Sequence, residues 1–386
     1  MITSGFTYLA VILFFSSLVV VAEKKSKGKF FEYVPAIVVI YFVVMLLGTF
    51  KVWDQTDEVN MYYKMVKNNL LPAMIFLMLL RCDLRKILKL GPKMLLGFFA
   101  ASISIGIGFV VAYGLFKNMY VQDTWKAFAA LAGSWMGGTG NMAAIQGALN
   151  VPDSSMGYTL LIDSIDYAIW VMILLWLVPY AKFFNKWTKA DTSIIDEVGE
   201  QLAATQEKIR KNIEFSDMIF LIGMSFFVSS VSQSLSEILP ETSFITGTTW
   251  TVILATIAGV VCAMTGIGKI PGSSQISNVM LYTIVGLIAS RANFAELGQA
   301  PLYIIAGFVI LIVHGVILAI VAKIFKLDLF TCGIASLANI GGVASAPILA
   351  ASYSEALIPI GVLMAMLGYV IGTGGGLLVG KILSIM

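Results

Sequence analysis

The sequence predicts an all-α protein that crosses a membrane many times, and three observations lead to this fold class. Of its 386 residues, 59% are hydrophobic and only 12% are charged, with a mean hydropathy of +0.90, whereas soluble domains carry about 25% charged residues. Apolar segments of roughly 17–25 residues recur along the whole chain, which suits helices that cross a bilayer. Only one long segment, residues 181–212, is polar.

Taken in order, the apolar segments give about twelve candidate spans, within a range of eleven to thirteen. The first one precedes the basic run at 23–29, so we expect a retained span and not a cleaved signal peptide. The third is short. The spans lie approximately at 6–22, 30–50, 68–80, 93–116, 125–149, 156–180, 215–237, 247–266, 274–290, 300–324, 329–351 and 356–384.

The polar segment divides the chain into two membrane halves, residues 1–180 and 214–386, joined by a linker at 181–213. Charges of both signs follow one another in the linker, as in Glu207-Lys208. Such runs are typical of exposed helix faces. We therefore expect a solvated helical linker without chemistry of its own.

The two halves resemble each other in the order of their features. Arg81 precedes Gly97 by the same separation at which Arg291 precedes Gly307. Further on, seven identities fall at one constant offset over 38 positions, and Asp153 matches Glu355. The identical residues are Ser134, Gly140, Ala144, Ala148, Leu161, Tyr167 and Ile169, with Ser336, Gly342, Ala346, Ala350, Leu363, Tyr369 and Ile371.

Each half contains one apolar segment that glycines interrupt. The segment at about 125–149 includes Gly137 and Gly138, and the one at about 329–351 includes Gly341 and Gly342. Interrupted helices at matching places in two halves mark the binding site of many transporters, because the broken ends leave backbone N–H and C=O groups free near the midplane. The sequence therefore predicts one discontinuous helix at the matching place in each of two structurally related halves.

Two acids follow the first interrupted segment at membrane depth. Asp163 and Asp166 are three residues apart on one predicted helix, so their carboxylates share a face, with Tyr167 one turn from Asp163. Acids inside a membrane are functional by default. Two like charges at low dielectric favour a proton on one of them, whereas bound Na⁺ favours two ionised groups. We expect ion or proton binding here; the alternative is pairing that locks helices together.

These motifs also resemble a known family. The segments GSWMGGTGNMAA and ANIGGVASAP, together with the overall length, resemble the YjcL-like bacterial integral membrane proteins of unassigned function, over nearly the whole chain. That family is grouped with the cation:proton antiporters and the bile-acid sodium symporters. The resemblance implies an antiporter-like fold of two inverted repeats, in which two discontinuous helices cross at mid-membrane in a core domain that moves against a panel or dimerisation domain.

The grouping also implies roles for particular residues. Antiporters bind Na⁺ or H⁺ at an acidic pair on the helix after the first crossing helix, where this chain has Asp163 and Asp166, although these are not adjacent. Several pair that acid with a base, and His314 lies in the corresponding helix. The symporters use an acid in the second crossing helix. This chain offers only Ser336, Asn339 and Ser345 there.

The candidate ion- or proton-binding residues are thus Asp163, Asp166, Asn141, Thr139, Asn339 and Ser345, with Asp163 and Asn141 as ligands of a metal ion such as Na⁺. The candidate substrate-binding residues are Ser134, Asn141, Ser336, Asn339 and Tyr167. The two asparagines can instead satisfy the freed backbone, and the small hydroxyl residues can serve close helix packing. His314 is either a hydrogen-bonded core residue or a proton partner of Asp163.

The function that these residues predict is secondary active transport of a small solute, coupled to Na⁺ or H⁺, by an elevator-type motion. We expect a multi-pass homodimer in the bacterial inner membrane that needs no cofactor and binds no nucleic acid. A bare Na⁺/H⁺ antiporter is one alternative. An intramembrane aspartyl protease and a channel are alternatives from other classes. HExxH, GxSxG and Walker motifs are absent, so we expect no enzyme.

The predicted orientation contains a conflict. Basic loops at 23–29, 81–93 and 182–211 should all lie on the cytoplasmic side. Twelve crossings, however, place the last two of these loops on opposite sides, and six crossings in each half relate the halves without inversion.

Overall fold

A computed structural model describes residues 1–26, 30–191, 212–242, 244–292 and 300–386 of the chain. These residues fold into helices joined by short turns. The helices of ten residues or more are numbered here in chain order: α1 Gly5–Lys25, α2 Ala36–Thr49, α3 Asp57–Leu79, α4 Gly91–Phe116, α5 Thr124–Gly137, α6 Thr139–Ala148, α7 Met156–Leu177, α8 Phe215–Ser236, α9 Gly247–Ala263, α10 Ser273–Ala289, α11 Ala300–Phe325, α12 Leu329–Ile340, α13 Gly342–Tyr353 and α14 Ile358–Leu383.

Local sequence signals set several of these boundaries. α3 begins at Asp57, well before the predicted residue 68, because Thr56 caps it by accepting a bond from the Val59 N–H (3.3 Å). Asp328 caps α12 in the same way through the Thr331 N–H (2.8 Å). Within the predicted linker, residues 181–188 form a short helix, while residues 192–211 lie outside the described part of the chain.

The first interrupted segment is a hairpin, and the expectation of a helix that crosses the membrane is wrong for it. Gly133 of α5 lies against the Ile145 side chain of α6, twelve residues later in the chain. A continuous helix would separate these positions by about 18 Å, at 1.5 Å per residue. α5 and α6 therefore run side by side in opposite directions, and the chain reverses at Gly138.

The second interrupted segment folds back in the same way. The rings of Phe330 and Tyr353, at the outer ends of α12 and α13, have their centroids 5.2 Å apart. Nearer the turn, Gly333 lies beside the Leu349 side chain. We call α5–α6 hairpin 1 and α12–α13 hairpin 2. The two glycine tracts thus form two re-entrant hairpins instead of two crossing helices.

This geometry changes the number of crossings. Within the described residues ten helices run between two faces of the molecule, five in each half, and each half adds one hairpin. Six helices are long and apolar enough to cross a membrane by themselves, and shorter apolar helices lie among them. The all-α, polytopic class is therefore confirmed. Because each half crosses an odd number of times, the second half is inverted relative to the first.

The odd count also removes the orientation conflict. Residues 81–93 and 181–191 now lie on one face, which we call the Arg81 face, and the Lys93 side chain reaches the Asp191 carbonyl there (3.5 Å). The opposite face, the Asp153 face, carries the turn at 149–155. On it the Thr249 hydroxyl donates to the Ala148 carbonyl (2.8 Å) and Trp125 stacks on Phe244. Hairpin 1 enters from the Asp153 face, and hairpin 2 enters from the Arg81 face.

The helices assemble into two bundles, and each half contributes to both. The scaffold bundle contains α1, α2, α3, α8, α9 and α10; for example, Gly286 of α10 packs on Ile12 and Ile40. The core bundle contains α4, hairpin 1, α7, α11, hairpin 2 and α14, with Gly108 of α4 against Ile310. The hairpin tips at Gly138 and Gly341 lie where the two bundles meet.

Candidate functional site

The tip of hairpin 1 is built by a glycine that reverses the chain. Gly138 has φ +86° and ψ 170°, a conformation that other residues rarely adopt. Its N–H donates to the Ser134 carbonyl (2.5 Å), and its own carbonyl accepts from the Asn141 N–H (2.9 Å). This turn brings the last residues of α5 against α7.

Asp163 of α7 faces this tip. The Ser134 hydroxyl and the Trp135 indole N–H both donate to its Oδ1, each at 3.0 Å. Both donors come from α5 and are almost fully buried. Neither bond uses Oδ2, and the residue lines a cavity. The arrangement stabilises an ionised carboxylate and leaves one oxygen for a bound ion or a proton.

The cavity lies between the two bundles and has a volume of about 310 Å³. Its core-bundle wall consists of the two hairpin tips together with α7 and Tyr369 of α14. Its scaffold wall consists of α2, α3 and α10, and it extends toward the Arg81 face. The polar residues in its lining are Arg81, Ser134, Thr139, Asp163, Ser164, Tyr167, Ser274, Ser277, Asn278, Tyr282 and Tyr369.

Four of the predicted site residues thus line one cavity: Asp163, Ser134, Thr139 and Tyr167. Ser345 lies just behind the lining, where Gly341 packs against both its side chain and the Tyr167 ring. Hairpin 2 contributes apolar residues and glycine backbone to the cavity lining: Ile340, Gly341, Gly342, Val343 and Ala344. The pairing of two glycine tips around one acid is the part of the predicted site that the structure reproduces.

Both asparagines serve the hairpins, contrary to the expected contact with an ion or substrate. The Asn141 amide donates to the Gly137 carbonyl (2.7 Å), and its oxygen accepts from Thr373 (2.6 Å). The Asn339 amide donates to the Ala335 carbonyl (2.9 Å), and its oxygen accepts from Ser102 (2.7 Å). Both side chains are buried outside the cavity lining. Asn141 satisfies the carbonyl of the last residue of α5, Asn339 bonds back within α12, and each ties its hairpin to a neighbouring helix.

Asp166 does not share a site with Asp163. Its side chain is fully buried and packs against Gly307 of α11, and neither carboxylate oxygen has a hydrogen-bond partner among the described residues. An ionised carboxylate in such a place loses its hydration without compensation. The geometry therefore requires a neutral Asp166 in this conformation. The two acids share a helix but face different surroundings.

His314 pairs with serines and not with an acid. Its Nδ1 lies 2.7 Å from the Ser104 hydroxyl, and its Nε2 lies 2.8 Å from the Ser336 hydroxyl. Both contacts of Ser104 are satisfied together when it donates to the Ala101 carbonyl and accepts from Nδ1–H, and we assign this tautomer. Nε2 is then the acceptor. The expected partnership with Asp163 is thus absent from this conformation.

Ser336, expected to bind substrate, belongs to the same chain of bonds. Its hydroxyl accepts from the Trp170 indole N–H (2.8 Å) and donates to His314. It is fully buried and lies outside the cavity lining. Ser336 therefore connects hairpin 2 to α7 and α11.

Sequence reasoning missed the cation of the cavity. Arg81, interpreted as part of a basic anchor, is the one Lys or Arg in the lining, and it donates to the Ser274 hydroxyl (2.6 Å). Its neighbour Arg85 is instead bound to Asp83 through two bonds, which hold the pKa of the Asp83 carboxyl below its usual value. The matching place of Arg81 and Arg291 in the two halves was the signal that could have separated Arg81 from the anchor residues.

No group of three His, Cys, Asp or Glu side chains comes together as metal ligands within the described residues. A Na⁺ ion beside Asp163 would have to take its other ligands from hydroxyl and backbone oxygens. Ser134 offers such an oxygen in contact with the acid, and Thr139 offers one in the same cavity lining.

Comparison with known proteins agrees with the assignment to a membrane. Residues 10–386 match the family described as "Protein of unknown function (DUF819)". The chain belongs to this family. It is also 24% identical, over 331 residues and 83% of each chain, to a Bacillus subtilis protein named "Uncharacterized membrane protein YjcL". The resemblance inferred from the glycine segments is therefore confirmed, and the protein is a multi-pass membrane protein.

Proposed function

We propose that the protein is a secondary transporter that couples movement of a small solute to Na⁺ or H⁺. The observation that carries this proposal is Asp163, a carboxylate that lines a cavity between two hairpin tips contributed by inverted halves. Inverted repeats that meet at a single site are characteristic of carriers that expose it alternately to the two sides of a membrane. The core bundle would carry this site past the scaffold bundle.

The cavity favours this function over the alternatives. A volume of about 310 Å³ suits a small organic solute and exceeds what a bare cation needs. The lining extends toward the Arg81 face and not to the Asp153 face, which suits a carrier better than a channel. An aspartyl protease needs two carboxylates that act together, whereas Asp166 faces α11. These features support transport over proteolysis.

We further propose a bacterial cytoplasmic membrane with the Arg81 face inside the cell. The support is the basic residues at 81–93 and 182–189, which share that face. On this view the structure has its cavity open to the cytoplasm. Assembly as a homodimer stays a prediction.

The first test measures the coupling ion. We expect Na⁺, or a proton at lower pH, to raise the thermal unfolding temperature of the purified protein in detergent, with choline as the matched inert cation. Asp163→Asn should abolish this ion-dependent stabilisation, while Asp166→Asn should keep it. Stabilisation of Asp163→Asn equal to that of the natural protein would refute the role of Asp163.

The second test identifies the solute. Proteoliposomes are loaded from a bacterial metabolite extract under an imposed Na⁺ or proton gradient, and their contents are analysed by mass spectrometry. We expect at least one compound to accumulate with the natural protein and not with Asp163→Asn. Equal contents in vesicles with the natural protein and in vesicles with Asp163→Asn, under each of the two gradients, would contradict coupled transport of an organic solute.

A further inference from the structure

On the Asp153 face a polar cluster fastens the core bundle to the scaffold bundle. Asp153 lies in the turn between hairpin 1 and α7. Its Oδ2 accepts from the Tyr63 hydroxyl (2.6 Å), and the Lys67 ammonium lies 3.6 Å from its Oδ1. Tyr63 and Lys67 belong to α3, and the Tyr41 hydroxyl of α2 donates to the Asp153 carbonyl (3.3 Å). The side chains of Lys67 and Asp153 are mostly buried. The two bundles are therefore closed against each other at this face.

On the Arg81 face the same two bundles stand apart, with the cavity between them. The residue that matches Asp153 in the inverted half is Glu355, in the turn between hairpin 2 and α14. It is exposed and forms no ion pair with any described residue. The closed face and the open face thus carry equivalent acids, one engaged and one free.

The cations follow the same symmetry. Arg291 matches Arg81, and its guanidinium lies over the Tyr63 ring, 4.4 Å from the centroid, inside the closed cluster. Arg81 lines the open cavity, bonds to Ser274, and makes no ion pair with a described carboxylate. The positions that match Tyr63 and Lys67 in α10 are Ser273 and Ser277. Arg81 is therefore the cation of the cavity lining that can meet an acid of the core bundle on this side.

Each of two inverted halves can adopt the conformation that the other half has now. The closed cluster on the Asp153 face therefore shows how the Arg81 face can close. We propose that Arg81 and Glu355 form an ion pair that closes the Arg81 face in a second conformation, in which the contacts of Asp153 with Tyr63 and Lys67 are broken. The two clusters act as alternative latches on opposite faces. This inference rests on the proposed alternating function, because a protein with one fixed conformation has no use for it.

Cross-linking tests the proximity. In a background with Cys82, Cys262 and Cys332 replaced by Ser, the pair Arg81→Cys and Glu355→Cys should be joined by a short bismaleimide, because an Arg–Glu ion pair holds its Cα atoms farther apart than the about 7 Å that a disulfide allows. Asp153→Asn should increase the yield by loosening the opposite latch. Arg85→Cys with Glu355→Cys is the matched control. A yield no higher than that of the control, with and without Asp153→Asn, overturns the proposal.

Labelling tests the charges. A single Asn278→Cys in the cavity reports how often the Arg81 face is open to an impermeant maleimide. Arg81→Gln or Glu355→Gln should raise the labelling rate about three- to tenfold, because the closed state loses its pair. The double charge reversal Arg81→Glu with Glu355→Arg should return the labelling rate to that of Asn278→Cys alone. Unchanged rates in both single variants overturn the pair. Neither experiment measures transport, so they can fail while the ion dependence of Asp163 holds, or the reverse.

Discussion

The helices that follow the two hairpins, α7 and α14, hold matching places in the two halves but carry opposite kinds of residue. α14 has a glycine at every fourth position. At the constant offset of the repeat, α7 and the residue that follows it have an acid and three larger apolar side chains instead. The matched pairs are Gly368 with Asp166, Gly372 with Trp170, Gly376 with Leu174, and Gly380 with Val178.

This difference decides how each hairpin is held. Hairpin 1 lies directly on the glycines of α14, with the Gly137 Cα 2.8 Å from where a Gly372 Cβ would lie. Hairpin 2 reaches α7 through side chains, with Trp170 donating to Ser336 and the Tyr167 ring lying on Gly341. The acid of the site also has no equivalent, because Ala365 matches Asp163. Inverted halves with related backbones thus produce one charged site and not two.

Altering the contact between Gly372 of α14 and hairpin 1 should have the largest effect, which is on the stability of the protein. Gly372→Ala places a methyl group against Gly137 and the Asn141 amide, and we expect it to lower the free energy of unfolding by about 1–3 kcal/mol through overpacking. Thermal unfolding in detergent measures the change.

Gly374 supplies the control for this variant. It lies on the same helix with open space where its Cβ would be. Gly374→Ala should therefore leave stability unchanged or raise it slightly, since alanine is the better helix former. If both variants destabilise equally, the close contact between hairpin 1 and α14 is incorrect.

The donors to Asp163 should give the next effect. Ser134→Ala removes one bond to the carboxylate, and bonds to charged groups contribute about 1.5–3 kcal/mol. For Na⁺ as the coupling ion we expect the apparent affinity to fall about tenfold or more, whereas for H⁺ it should rise, because the lost donor had stabilised the ionised carboxylate. The ion dependence of thermal unfolding measures it.

Ser336→Ala is the matched change in hairpin 2. Ser336 lies outside the cavity lining, so the ion affinity should change by less than about twofold, within the ordinary scatter of distant sites. Equal losses in Ser134→Ala and Ser336→Ala would show that the two hairpins contribute alike to the site, against the comparison drawn here.

Asp166 should give the smallest effect. Because its unpartnered carboxyl is neutral in this conformation, Asp166→Asn should alter the free energy of unfolding by less than about 1 kcal/mol. Gly307→Ala, which pushes a methyl group into that carboxyl, should destabilise more. A large loss in Asp166→Asn alone would mean that the group is ionised and paired.

The sequence by itself determined the fold class, the two related halves, and the acid at the centre. Apolar lengths and low charge are sufficient for membrane helices because lipid admits few other structures. Two glycine tracts at matching places located the hairpin tips, and Asp163 was identified because an acid at that depth has few structural uses. Thr139, Ser134 and Tyr167 followed from their proximity to these features along the chain.

Tertiary structure alone decided whether each broken segment crosses or returns, and the odd number of crossings that follows accounts for the inversion that the family resemblance implied. A run of about 24 apolar residues has the same composition whether it crosses the membrane or returns to the face from which it entered. The contact of Gly133 with Ile145 distinguishes the two cases. It also separated Asp163 from Asp166, since one turn of helix is enough to point one acid into a cavity and the other into α11. Only the tertiary structure identified Arg81 as a residue of the site, for the same reason. Its role depends on the residues on the other side of the cavity, and the sequence around Arg81 does not show which residues these are.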